Sequence, residues 1–256
     1  MTETFHYPFI ARVVTAVKAV LLTVIAFHYI ITSLLLAPFR LGGRYLNTIS
    51  GLFGRQMLWA CGGKAEIEGL ENLDPKKTYV FVGNHQSYAD IFLLQAALSK
   101  LRMKTLFIIK KELFRIPLFK PMSKQMGLIA VEREDSRQSM KAITASLKLL
   151  KRGKSIAVFP EGSRSYDAEL QPFKRGGFLL VELTGLEIAP FVIAGTFNIF
   201  PRKPFIIRGG PCKISFLKPI AAGQYKSKEL AQIVEVMIKE KYPSEKAYID
   251  AKWENK

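Results

Sequence analysis

The sequence predicts an α/β fold: a mostly parallel sheet flanked by helices, preceded by an N-terminal two-helix segment that associates with a membrane. Three observations carry this expectation. From Lys64 onward, short β-rich runs alternate with helical ones, the pattern of parallel strands joined by crossover helices. Ahead of them, Ala19 to Ala37 form one apolar run whose only basic or acidic side chain is His28. Finally, the residues best suited to chemistry follow strand candidates directly, where active groups gather in such sheets.

The run Ala19–Ala37 is close to the roughly 20 residues a helix needs to cross a bilayer. Arg12 and Lys18 precede it; Arg40, Arg44, Arg55 and Lys64 follow. No small-x-small cleavage site marks it as a signal peptide. A second, amphipathic helix is expected over Arg44–Trp59, bracketed by Gly42-Gly43 and Gly62-Gly63. The pair reads either as a span plus a surface helix or as a hairpin dipping into one leaflet. The heavier basic flank on the C-terminal side puts the remaining domain on the cytoplasmic side of an inner membrane. The expected division is therefore residues 1–63, membrane-associated, and residues 64–256, the α/β domain.

Within that domain, strands are expected at Thr78–Gly83, Thr105–Lys110, Leu128–Val131, Ser155–Phe159, Ile188–Ile193, Phe205–Arg208 and Cys212–Phe216. Helices are expected at Ala89–Leu98, Pro117–Met126, Ser139–Lys151, Gly177–Leu183 and Ser227–Lys241, with a loose polar tail from Pro243.

A chain of 256 residues buries one good core. Its formal charge of +17 calls for an anionic partner: an anionic phospholipid surface, a phosphorylated substrate or nucleic acid. The apolar run argues against nucleic acid, which a basic domain with exposed aromatics and no span would suit. Cys61 and Cys212 lack metal-ligand or disulfide spacing and read as inert thiols. No metal is expected, since no second His or Cys stands at ligand spacing from His85. The sequence holds no G-x-S-x-G elbow and no glycine-rich nucleotide cradle.

Strand Thr78–Gly83 runs into Asn84-His85-Gln86-Ser87-Tyr88-Ala89-Asp90. On one continuous helix, His85 and Asp90 would point about 140° apart. A strand–loop–helix join lets them converge, so that Asp90 fixes the imidazole tautomer and leaves the other nitrogen as a base. Ser87-x-x-Asp90 equally reads as a capping box with Asp in place of Glu, and the two roles are compatible. His6 lies near the terminus and His28 in the apolar run, so a histidine base would be His85.

After strand Ser155–Phe159 comes Pro160-Glu161-Gly162-Ser163-Arg164-Ser165, a turn displaying Glu161 and Arg164. An arginine there suits a phosphate monoester, which it grips through paired hydrogen bonds. Lys174-Arg175-Gly176-Gly177, at an expected helix start, adds Lys174 to an anion site. Both stretches also read as solvated loops with surface charge. Between Lys100 and Lys124 there are eight Lys or Arg against one acid, which suits anionic lipid as well as substrate. Lys110, at a strand end, is the strongest candidate among them, and Arg133 follows the next strand. Arg202, Lys203 and Arg208 read as surface charges facing lipid.

These stretches together resemble the glycerolipid acyltransferase family, most closely its 1-acyl-glycerol-3-phosphate branch. Asn84–Asp90 resembles the family's N-H-x-S-x-x-D block and Phe159–Ser165 its F-P-E-G-[ST]-R-S block. Lys110–Leu113 through Arg133 resembles the phosphate-binding block, and Ala189–Thr196 the fourth, read as a proline-bearing turn near the acyl pocket. Lys120 stands where the family commonly has Gly. The resemblance implies catalysis by His85 and Asp90 and substrate binding by Lys110, Arg133, Glu161, Gly162, Arg164 and Lys174. It implies acyl transfer from an acyl thioester, acyl-CoA or acyl carrier protein, to a membrane lipid acceptor, with no further cofactor. Acceptors in view are the sn-2 hydroxyl of 1-acyl-glycerol 3-phosphate, glycerol 3-phosphate, dihydroxyacetone phosphate or a lyso-amino lipid. A non-catalytic basic membrane- or nucleic-acid-binding module is the reading from another class.

Overall fold

The computed structural model describes residues 8–103, 105–110, 112, 120, 121, 123, 129–131, 144, 146, 147, 150, 153–202, 205–221, 223 and 225–255. Seven strands among them form one sheet: β1 (Gly63–Glu68), β2 (Val80–Gly83), β3 (Thr105–Lys110), β4 (Ile129–Val131), β5 (Ser155–Val158), β6 (Ile188–Ala194) and β7 (Gly210–Phe216). Their order is β1-β7-β6-β2-β5-β3-β4, and every neighbouring pair is parallel except β6 with β7.

Alternating side chains on the central strands feed two cores, one per face. Phe81, Ala157, Ala189, Phe191 and Ile193 pack with helix α3 (Ala89–Ser99) and its neighbours. Val80, Val82, Ile156, Val158, Ile188 and Val192 pack on the other face. There they meet Leu180 and Val181 of helix α4 (Leu179–Thr184) and Leu230, Val234 and Ile238 of the C-terminal helix. Strands buried on both faces read as continuous apolar runs, which is why the sequence revealed them.

Helix α1 (Phe9–Leu35) is 27 residues long, about 40 Å, and is long and apolar enough to cross a membrane. It does not stand alone. Thr15, Leu22, Tyr29, Ile30 and Ser33 are buried against the protein. The opposite face exposes Val13, Val17, Val20, Val24, Phe27, Ile31 and Leu35 at spacings of three and four. Helix α2 (Gly42–Cys61) returns beneath it and lies on α3. Side chains at Gly51 and Gly54 would collide with Ser99 and Gln95, so these glycines set the close approach. Gly62, left-handed at φ 77°, ends α2 as expected.

Four expectations are corrected. Phe205–Arg208 is not a strand; Ile206 and Ile207 are buried in an irregular segment before β7. The edge strand β1 was not foreseen, because its charged residues Lys64, Glu66 and Glu68 face solvent or the C-terminal helix. Pro190 lies within β6 rather than in a turn, and the turn comes at Gly195. The tail from Pro243 is not loose: it continues the last helix over Ser227–Glu254. Tyr248 and Lys252 bind Glu66 at 2.7 and 2.5 Å, and Trp253 Nε1 donates to the Pro211 carbonyl at 3.0 Å. The expected helices over Pro117–Met126 and Ser139–Lys151 fall mostly outside the described residues.

Candidate active site

Three neighbouring strands, β6, β2 and β5, end side by side, and their C-terminal tips build the site. Beyond β2, the Asn84 side chain takes over the strand's pairing with β6. It donates to the Ile193 carbonyl and accepts from the Ile193 N–H, both at 2.8 Å. That double bond fixes the exit of the chain, and His85 follows.

His85 Nδ1 lies 2.7 Å from Asp90 Oδ2. The same carboxylate oxygen accepts the backbone N–H groups of Gln86 and Ser87, at 2.7 and 2.8 Å. Its other oxygen accepts the hydroxyl of Thr196 at 2.5 Å. Asp90 is fully buried and acceptor-only when ionised, so Nδ1 of His85 carries its proton toward it. Nε2 is then the free lone pair. Only half of the expected capping box forms: Asp90 accepts the Ser87 N–H, while the Ser87 hydroxyl accepts the Ala89 N–H at 3.1 Å and the Asp90 N–H bonds the Ser87 carbonyl at 3.4 Å. The imidazole stacks on Phe159, with ring centroids 4.1 Å apart.

From the tip of β5, Glu161 Oε1 accepts the His85 N–H at 3.0 Å, and Ser165 N donates to the His85 carbonyl at 2.8 Å. The second oxygen of Glu161 is buried without a hydrogen-bond partner among the described residues. Burial, with help from the charge of Asp90, pushes the Glu161 carboxyl up to about 8, against the lowering effect of backbone bonds from His85 and Gln171. Arg164 lies half-buried with its Cζ 3.6 Å from the centroid of the Tyr88 ring. Its Nη1 is buried without a hydrogen-bond partner among the described residues. Burial first, and then the neighbouring charge of Arg202, hold its guanidinium below the ordinary range.

The remaining expected residues are less uniform. Gly162 adopts φ 77°, and Lys174 Nζ would stand 3.2 Å from a side chain added there, so Lys174 reaches the Glu161–Arg164 turn. Lys110 closes β3, the neighbour of β5, opposite Val131 of β4, which puts its backbone on the same sheet edge. Its side chain and Arg133 lie outside the described residues. Among the described residues, no three His, Cys, Asp or Glu converge as a metal site requires. Cys61 and Cys212 are buried, and burial pushes both thiols up to about 12, which keeps them unreactive.

Sequence reasoning missed Thr196 and Gln86 as site residues, and Tyr242 altogether. Gln86 Nε2 bonds the Tyr242 hydroxyl at 2.6 Å and the Ala168 carbonyl at 3.2 Å, while Tyr242 donates to that same carbonyl. Thr196 had a usable signal in the Gly195-Thr196 pair closing a strand beside β2. Tyr242 had none, because its partners lie far away in sequence.

Known proteins resemble the chain in sequence and in fold. A family model described as Acyltransferase matches residues 64–194. A chloroplastic 1-acyl-sn-glycerol-3-phosphate acyltransferase of Brassica napus is 36% identical over 159 residues, 61% of this chain and 45% of that protein. The protein of that name from Limnanthes alba is 30% identical over 205 residues, 78% of this chain and 70% of that protein. The match thus spans under half the length of the Brassica relative and most of the Limnanthes one. Among solved structures, the 1-acyl-sn-glycerophosphate (LPA) acyltransferase of Thermotoga maritima shares the fold, with TM-score 0.75 over 90% of this chain and 93% of that one, at 23% identity.

Proposed function

Because the chain belongs to the acyltransferase family, we propose that it moves a fatty acyl group from an acyl thioester to the sn-2 hydroxyl of 1-acyl-glycerol 3-phosphate, forming phosphatidic acid. The observation that carries the reading is the 2.7 Å His85–Asp90 pair, with an unpartnered Arg164 guanidinium nitrogen beside the same loop. Nε2 of His85 takes the proton of the sn-2 hydroxyl as its oxygen attacks the thioester carbonyl. The tetrahedral intermediate then collapses, breaking the C–S bond, and the imidazolium returns the proton to the departing thiolate. Asp90 holds the tautomer and stabilises the imidazolium, which fits base catalysis worth about 10²–10⁴ in rate. Arg164 grips the phosphate, with Lys174, Lys110 and Arg133 adding charge, and so places the hydroxyl against His85. The unpartnered oxygen of Glu161 is available to an acceptor hydroxyl.

The donor is an acyl-CoA or acyl carrier protein, either of which supplies the thioester. The exposed apolar face of α1 rests in the membrane with its other face on the protein, which favours a leaflet-embedded hairpin. The heavier basic flank after α1 puts the catalytic domain on the cytoplasmic side. Acceptor and product then enter and leave by the lipid phase. The test is acyl transfer by detergent-solubilised protein, offered lysophosphatidic acid and glycerol 3-phosphate separately with each thioester, and His85→Ala as control. Phosphatidic acid from lysophosphatidic acid, formed only by the unmutated protein, is expected. An active His85→Ala enzyme, or no product from lysophosphatidic acid, overturns the reading.

A further inference from the structure

Arg202 does not stand away from the site. It follows the short helix α5 (Thr196–Ile199), and the segment between is tied to the catalytic loop. The Ser87 hydroxyl donates to the Phe200 carbonyl at 2.7 Å, and the Phe200 ring lies against Tyr88 with centroids 5.4 Å apart. These contacts carry Arg202 to the turn beyond β5. There its Nη1 donates to the Arg164 carbonyl at 3.0 Å, and its Cζ sits 3.9 Å from the centroid of the Tyr166 ring. Two guanidinium groups, each on a tyrosine face, thus come from two different strand tips to the turn beyond β5, whose Ser165 N–H bonds the His85 carbonyl.

Like charges gathered in this way repel, and the Asp90 carboxylate, already bound to His85, offsets the charge of Arg164 without forming an ion pair with it. Neither Arg164 nor Arg202 is in an ion pair with a carboxylate there, although ten such pairs, the His85–Asp90 contact included, form elsewhere in the described structure. One nitrogen of Arg164 is buried with no acceptor among the described residues. A half-buried pair of cations lacking an ion-paired anion is unfavourable in the free protein and becomes favourable once a dianion arrives. Cation–π contacts with Tyr88 and Tyr166 hold both groups in place meanwhile. The chemistry that fits two guanidiniums is a phosphate monoester, which carries close to two negative charges at neutral pH and offers three acceptor oxygens.

We infer that Arg202 is a second phosphate-binding residue, acting with Arg164 as a two-arginine clamp on the phosphate monoester of the acyl acceptor. The inference rests on the acyltransferase reading above. A phosphate monoester also occurs in the 3′-phosphate of coenzyme A, so acceptor and donor must be varied separately.

The experiment uses full-length, detergent-solubilised protein and compares Arg202→Gln and Arg202→Lys with the unmutated enzyme. Glutamine removes the charge while keeping a polar side chain, and reading acceptor KM, donor KM and kcat separately distinguishes a clamp from a brace. Activity of the unmutated enzyme on lysophosphatidic acid tests the underlying reading first. Given that activity, Arg202→Gln is expected to raise the acceptor KM roughly 10- to 100-fold with kcat and donor KM little changed, as loss of uniform binding does. Arg202→Lys recovers part of this. Glycerol 3-phosphate, used as a non-lipid competitor, is expected to inhibit Arg202→Gln correspondingly less well. An unchanged acceptor KM in Arg202→Gln overturns the inference. A rise confined to the KM of acyl-CoA overturns it equally, and so does a fall in kcat alone.

Discussion

Thr196 donates its hydroxyl to Oδ1 of Asp90 at 2.5 Å, joining two residues 106 positions apart in the chain. The contact arises because β6 and β2 are adjacent, so the first residue after Gly195 meets the first turn of α3. It adds a fourth donor around a carboxylate that is fully buried. Replacing Thr196 with Val keeps the shape and removes the donor. The expected result is a tenfold or so lower kcat and a stability loss of about 1–3 kcal/mol, typical for an unsatisfied buried acceptor. Steady-state kinetics and urea unfolding would read the two effects, and Thr196→Ser should restore both. A normal kcat in Thr196→Val would mean that three donors suffice to hold Asp90.

Glu161 makes stability depend on pH in a direction opposite to that of a salt-bridged acid. Burial raises its carboxyl from the usual 4.5 to about 8. The folded state therefore holds the proton more tightly than the unfolded chain. Its contribution is fully present below about 4.5 and is lost as pH rises through about 8. Melting temperatures between pH 5 and 9 should fall more steeply for the unmutated protein than for Glu161→Gln, whose amide oxygen still accepts the His85 N–H. Parallel curves would show that Glu161 is not held neutral.

The catalytic half of this site was legible because its residues are close in sequence and sit on strand tips. His85 and Asp90 are five apart, and Glu161 and Arg164 share one turn, so local pattern plus the rule for parallel sheets was enough. Arg202 was misread as a surface charge because its proximity to Arg164 comes from the Ser87–Phe200 and Tyr88–Phe200 contacts, which no local pattern encodes. The edge strand β1 was missed for a related reason. Glu66 and Glu68 are solvent-like in composition, yet they pair with Lys252 and Lys213, residues brought near only by the completed sheet. The same pairings explain why a polar tail turned out to be the end of an ordered helix.

Tyr242 connects that helix to the catalytic loop. Its hydroxyl accepts from Gln86 Nε2 and donates to the Ala168 carbonyl, while the Gln86 N–H is one of the donors to Asp90. Ala168 holds a left-handed φ of 67°, unusual for a residue with a side chain, and Tyr242 is one of the bonds fixing it. Tyr242→Phe leaves the ring packed and removes only the hydroxyl. About 1–2 kcal/mol of stability should go, with kcat down several-fold and both KM values near normal. A variant with unaltered kcat but the same stability loss would confine Tyr242 to holding the helix.

Lys18 is the one cation on the described part of α1 that turns inward, and it joins α1 to the catalytic domain at a point where three carbonyls converge. Its Nζ donates to Cys61, Ile207 and Arg208, at 3.1, 3.3 and 2.9 Å. Cys61 is the last residue of α2, so the charge also sits at that helix's negative end. Nearby, the Thr15 hydroxyl accepts the Ile207 N–H at 3.2 Å, a further polar tie between α1 and the irregular segment before β7. Lys18→Met keeps the aliphatic stem and removes every one of the charged bonds. Stability in detergent should drop by about 2 kcal/mol, and amide exchange should quicken in residues 11–22 and 205–209 together, since each loses its partner. If exchange quickened in α1 alone, the segment before β7 would be held by its buried Ile206 and Ile207, and Lys18 would anchor only the helix that carries it.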